Sequence, residues 1–193
     1  MRTEDKIRLF GMSHQMLERG LDTVERELAV KLEREGTQQI DRDETYYPQF
    51  TEAIRDEAAQ MATHYEMFYC LENSIRGLVS DILRAAHGSN WWSIVVPASV
   101  QSNVSANIRR EIDNGVTQRS TEEIDYTTFG ELGEIVRSNW ANFSDVFSSE
   151  KAFTKIMTSL NVLRGPIAHC CPLAADEIER LKLSVKDWFR LME

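Results

Sequence analysis

The stretch Tyr65-Glu66-Met67-Phe68-Tyr69-Cys70-Leu71-Glu72-Asn73 sits inside a run in which Phe50, Ile54, Ala58, Met61, Tyr65, Phe68, Leu71, Ile75, Leu78 and Ile82 follow one another at spacings of three and four. That period belongs to one face of an α-helix. Sustained from Pro48 onward, it predicts a helix roughly 50 Å long at about 1.5 Å per residue, which suits the spine of a bundle. Gly88, directly after Ala85-Ala86-His87, is placed to close it as a C-terminal cap. Glu72 interrupts the apolar face, four residues after Phe68 and three before Ile75. A buried, unpaired carboxylate is costly, so Glu72 needs a cation. Arg76 at i+4 is the local choice, and a residue reaching across the bundle is the other.

Along the rest of the chain the helical period recurs and strand signals are almost absent. Ile94-Val95-Val96 is the only β-like patch, too short to found a sheet, and the segment Ser89 to Ala98 with Trp91 and Trp92 reads as a loop packed back on the bundle. A peripheral helix is expected from about Ser99 to Asn114. Thr128-Phe129-Gly130-Glu131 has the form of a capping box heading a helix with Leu132, Ile135, Val136 and Trp140. Further helices are expected from about Ser149 to Leu163 and from about Leu173 to Met192, with Trp140 and Trp188 in the core. Before the long helix, Ile7, Phe10, Leu17, Leu21, Val24 and Leu28 give an apolar stripe over about Lys6 to Arg34, followed by a polar linker from Gly36 to Asp43. The expected organisation is an N-terminal amphipathic helix and linker over residues 1–47 and an all-α helical bundle over 48–193.

Leu160-Asn161-Val162-Leu163-Arg164-Gly165-Pro166-Ile167-Ala168-His169 carries the candidate chemistry. Pro166 disfavours helical geometry at Gly165, and Pro172 heads the acidic start Leu173-Ala174-Ala175-Asp176-Glu177. Arg164 is therefore expected to end one helix and His169 to lie in the corner before the next, near orphan backbone donors that favour a phosphate. A guanidinium offers a planar, permanently charged grip on phosphate oxygens, and an imidazole moves protons near neutral pH. On position alone, Arg164 is equally a charge meeting the C-terminal end of a helix dipole, and a lone histidine at a helix start is more often structural.

These residues, with Tyr65 to Asn73 and the terminal Asp187-Trp188-Phe189-Arg190-Leu191, resemble the HEPN superfamily of small helical ribonucleases and nucleotide-binding modules over roughly residues 50–193. Its motif is an arginine, four to six residues, and a histidine, which Arg164 and His169 match with four between them. Gly165 departs from the polar residue, such as Asn, that the family usually carries after the arginine. The resemblance implies a metal-independent endoribonuclease without a cofactor, acting on RNA in a toxin, antiviral-defence or RNA-surveillance role. It assigns Arg164, His169 and Glu72 to catalysis, and Asn73, Arg76 and Asn161 to holding the substrate. It also implies a homodimer, so that a second His169 supplies the missing acid, and an antitoxin or regulatory protein as a further partner. The alternative within the same fold is a non-catalytic module for dimerisation, nucleotide binding or protein interaction.

Composition limits these readings. With 22 Lys and Arg against 31 Asp and Glu the formal charge is -9, and no basic block is present, so broad electrostatic binding of nucleic acid is disfavoured. A few arginines converging on one groove are still compatible with RNA. The odd set Cys70, Cys170 and Cys171 points to neither a disulfide framework nor a zinc site, which suits a reducing cytoplasm. His14, His64 and His87 lack a second ligand at a metal spacing. No run approaches the roughly 20 apolar residues that cross a membrane, and Met1-Arg2-Thr3-Glu4-Asp5-Lys6 is no signal region. A cytoplasmic location is expected.

Overall fold

The computed structural model describes residues 47–193. The chain divides into two units, Met1–Phe50 and Thr51–Glu193, and the second carries all that follows. The amphipathic helix expected over Lys6 to Arg34 lies outside the described residues. Among them are seven α-helices and no strand: α1 (Glu52–His87), α2 (Trp91–Val95), α3 (Ala98–Asp113), α4 (Phe129–Ser138), α5 (Trp140–Phe143), α6 (Glu150–Ala168) and α7 (Ala175–Arg190), with a 3-10 turn at Glu123–Tyr126.

The spine α1 has 36 residues, about 54 Å of helix. Gly88 ends it with φ 76°, a left-handed setting that costs glycine little, and gives its N–H to the Arg84 carbonyl at 2.9 Å. Only the C-terminal half of α1 is deeply covered, through Phe68, Leu71, Glu72, Ile75, Val79 and Leu83. Ile54 and Tyr65, expected on the buried stripe, are exposed. The reason is geometric: among the described residues the other helices gather on the second half of the spine, so periodicity in the first half marks a face that they leave uncovered.

Around that half, α4 packs on both α1 and α6, and α6 packs on α7. The Thr128 hydroxyl accepts the Glu131 N–H at 3.3 Å while the Glu131 carboxylate accepts the Thr128 N–H at 2.7 Å, so the expected capping box starts α4. Gly133 of α4 faces Met157 of α6, and a Cβ there would stand 3.6 Å from the Met157 side chain, in ordinary van der Waals contact. Phe143, Phe147, Phe153 and Trp188 form an aromatic core between α5, α6 and α7, with Trp140 stacked on Phe147 at its margin.

Two local expectations are corrected. Ser89 to Ala98 is not wholly a loop: Trp91–Val95 forms α2, with Trp91 buried edge-on against Trp92, and the β-like patch is partly helical because the buried Trp91 and Val96 anchor the segment to the bundle. More consequentially, Gly165 and Pro166 do not break the helix after Arg164. Helix α6 runs through both to Ala168. Part of the clash that a proline imposes on its predecessor is with that residue's Cβ, which Gly165 lacks, so the Gly-Pro step remains helical at the loss of one backbone hydrogen bond. Helix α7 then opens at Ala175 rather than Leu173.

Candidate active site

A cleft of about 550 Å³ opens between the exposed side of α1 and the end of α6, lined by Tyr65, Tyr69, Glu72, Asn73, Arg76 and Arg164 among others. Glu72 organises it. Its residue exposure is only 8 %, and both carboxylate oxygens are occupied: Arg164 donates from Nε to Oε2 at 2.9 Å, and Arg76 donates from Nη2 to Oε1. The local and the cross-bundle partner that the sequence left as alternatives are thus both present. Arg76 Nη2 also donates to the Thr127 carbonyl at 3.0 Å, and Nη1 to Asn73 Oδ1 at 3.4 Å. Asn73 in turn donates from Nδ2 to the Tyr69 carbonyl at 2.8 Å.

The two arginines therefore differ. Arg76, with its side chain 16 % exposed, is held by several acceptors and acts as a strut between α1 and the segment before α4. Arg164, 36 % exposed, spends one N–H on Glu72, and its two Nη groups meet no acceptor among the described residues. Glu72 thus stands between two guanidiniums. A planar Nη pair held from behind by a carboxylate is suited to two oxygens of one phosphate.

His169 is elsewhere. It caps the C-terminus of α6, with its backbone N–H shared between the Gly165 and Pro166 carbonyls at 3.0 and 3.2 Å, and it is exposed. Continuous helix turns about 100° per residue, so five steps carry His169 roughly 140° around from Arg164. The side chain is not among those lining the cleft, although Ile167 and Ala168 are. The expected setting near orphan donors is also corrected, since the end of a helix presents carbonyls. Cys170, at φ 55°, and the bond from the Cys171 N–H to the Pro166 carbonyl at 2.9 Å complete this terminus.

Asn161 is likewise not brought to Arg164. It lines a smaller cavity of about 210 Å³ between α4 and α6 with Gly130, Gly133 and Met157. The cleft gains instead residues that the sequence did not single out for it: Tyr69, Asp125 and Arg119. Arg119 donates from Nε to Glu111 Oε1 at 2.6 Å and lies over the Tyr126 ring, 5.0 Å from its centroid. Partial desolvation pushes the Glu111 carboxyl up, but hydrogen bonds and charge from Arg119, with a contribution from Tyr126, outweigh it and hold the group below its ordinary value. No periodicity marks a loop arginine of this kind; only the fold brings it to the cleft wall.

Among the described residues, no three His, Cys, Asp or Glu side chains are grouped to hold a metal ion, and no helix is long and apolar enough to cross a membrane. Cys70, Cys170 and Cys171 are free and exposed. Compared with known families, the chain matches the one described as Swt1-like HEPN over residues 66–193, a span that begins where α1 enters the core. No curated protein and no solved structure matches it.

Proposed function

The chain belongs to the Swt1-like HEPN family, and from that membership and the cleft geometry we propose that residues 48–193 form a metal-independent endoribonuclease domain. The observation that carries this reading is the Glu72 clamp, which fixes Arg164 by one N–H and turns its remaining edge toward the cleft. Arg164 would grip the phosphate and offset charge that builds in the pentavalent transition state. His169 would take the proton from a ribose 2′-hydroxyl, whose oxygen attacks the adjacent phosphorus while the bond to the 5′-oxygen breaks. The products are a 2′,3′-cyclic phosphate and a 5′-hydroxyl.

The position of His169 supports a homodimer as the active form. One chain offers a single imidazole, outside its own cleft, whereas the reaction needs a base and an acid beside the phosphate. A two-fold seam that brings both α6 ends together would supply one His169 as base and the other as acid, and would gather two Arg164 side chains into a local positive groove on a chain of charge -9. An antitoxin or regulatory protein would restrain the activity by covering that groove.

The same exposure of His169 favours a second reading, a non-catalytic module that binds nucleotides or proteins through the cleft. Incubating purified protein with total RNA in EDTA separates the two. The ribonuclease reading expects cleavage that persists in the chelator and leaves cyclic phosphate ends, whereas intact RNA rejects it.

A further inference from the structure

Tyr65 and Tyr69 are each 60 % exposed, one helical turn apart on α1, with ring centroids 6.1 Å apart and planes tilted by 36°. Both line the cleft that holds Arg164, and Asn73 secures the backbone of Tyr69 from the next turn. We infer that this pair is a stacking platform for an unpaired nucleobase next to the phosphate held by Arg164, so that the cleft takes single-stranded RNA. The inference rests on the ribonuclease reading for the identity of the polymer, and adds the side chains that receive its base.

Three physical points lead there. The two rings touch each other and leave more than half of their surface to water beside Arg164, and a tyrosine face stacks on any base at small entropic cost, because only two side-chain torsions are fixed. The cleft volume of about 550 Å³ falls in the range of small-ligand sites, and a duplex keeps its bases stacked inward, away from the tyrosine faces. Finally, a chain of charge -9 with one partly free guanidinium at the site cannot hold RNA by counterion release alone. Stacking supplies affinity that the charge balance withholds.

The test uses the full chain and a short, fluorescein-labelled 2′-O-methyl RNA, which lacks the attacking hydroxyl and so reports binding apart from cleavage. Fluorescence anisotropy should show the single strand bound and the matching duplex bound much more weakly, with Tyr69→Ala and Tyr65→Ala each lowering affinity about tenfold. Tyr69→Phe, which keeps the ring, should stay within about twofold of the parent. The logarithm of affinity should fall with the logarithm of salt at a slope of roughly -1, as expected for one or two phosphate contacts to a single strand. Equal binding of duplex, unchanged binding by both alanine variants, or no binding by the parent protein overturns the platform. Cleavage of unmodified RNA is scored separately, so a platform that binds without cutting rejects the enzyme alone, and cutting without tyrosine dependence rejects the platform alone.

Discussion

Arg164 donates its Nε hydrogen to Glu72 Oε2 at 2.9 Å across 92 positions of sequence, joining the end of α6 to the middle of the spine. The contact has two consequences. It compensates a carboxylate that α1 buries, and it fixes the direction of the one guanidinium edge that the cleft leaves free.

Removal of the carboxylate should be felt in stability first. Glu72→Ala leaves Arg76 confined without its anion and frees Arg164, which is exposed enough to recover water. The expected loss is about 2 to 4 kcal/mol, below a fully buried pair because of that exposure. Glu72→Gln, which keeps shape and one acceptor, should lose less. Urea unfolding reads both, and an alanine variant as stable as the parent would show that the clamp contributes nothing.

On activity, His169→Ala and Arg164→Ala should each lower the cleavage rate by roughly a hundredfold or more with circular dichroism unchanged, in line with general-base and electrostatic contributions. Arg164→Lys should fall as well, because an ammonium cannot grip Glu72 and still present a planar edge to phosphate. Full activity in the histidine variant would remove His169 from the chemistry.

Assembly is tested by mixing. Light scattering at micromolar concentration should give a dimer, and adding inactive His169→Ala protein to the parent should reduce activity beyond dilution, since each mixed dimer lacks one of the two imidazoles. A stable monomer with full cleavage activity would rule out a shared site.

The helical Gly165-Pro166 step makes a prediction of the opposite sign. Pro166→Ala restores an N–H able to reach the Val162 carbonyl inside α6. Offset by greater freedom of the unfolded chain, the net gain should be about 1 to 2 kcal/mol. Thermal unfolding measures it. An unchanged or lower Tm would mean that the helix does not close over this step.

What the sequence determined by itself is the material governed by neighbours three and four residues apart. The helical period of α1, its glycine cap at Gly88, the capping box at Thr128 and Glu131, and the misfit of Glu72 on an apolar face are all local, and all are legible without a fold. The spacing of Arg164 and His169 that resembles the HEPN motif can be read from the sequence, but not the geometry of the two side chains. Local preference at a Gly-Pro step argued for a break, whereas packing of Leu160, Leu163 and Ile167 against the bundle holds α6 helical through it and turns His169 away from Arg164. Asn161 is only three residues from Arg164, about 60° around the helix, yet it lines another cavity because α4, with Gly130 and Gly133, packs beside it. Tertiary structure alone decided that Glu72 meets two arginines, that Arg119 reaches the cleft wall, and that Tyr65 lies outside the core. Each depends on where separate helices cross, and crossing positions are set by the sum of many packed side chains rather than by any short stretch of chain.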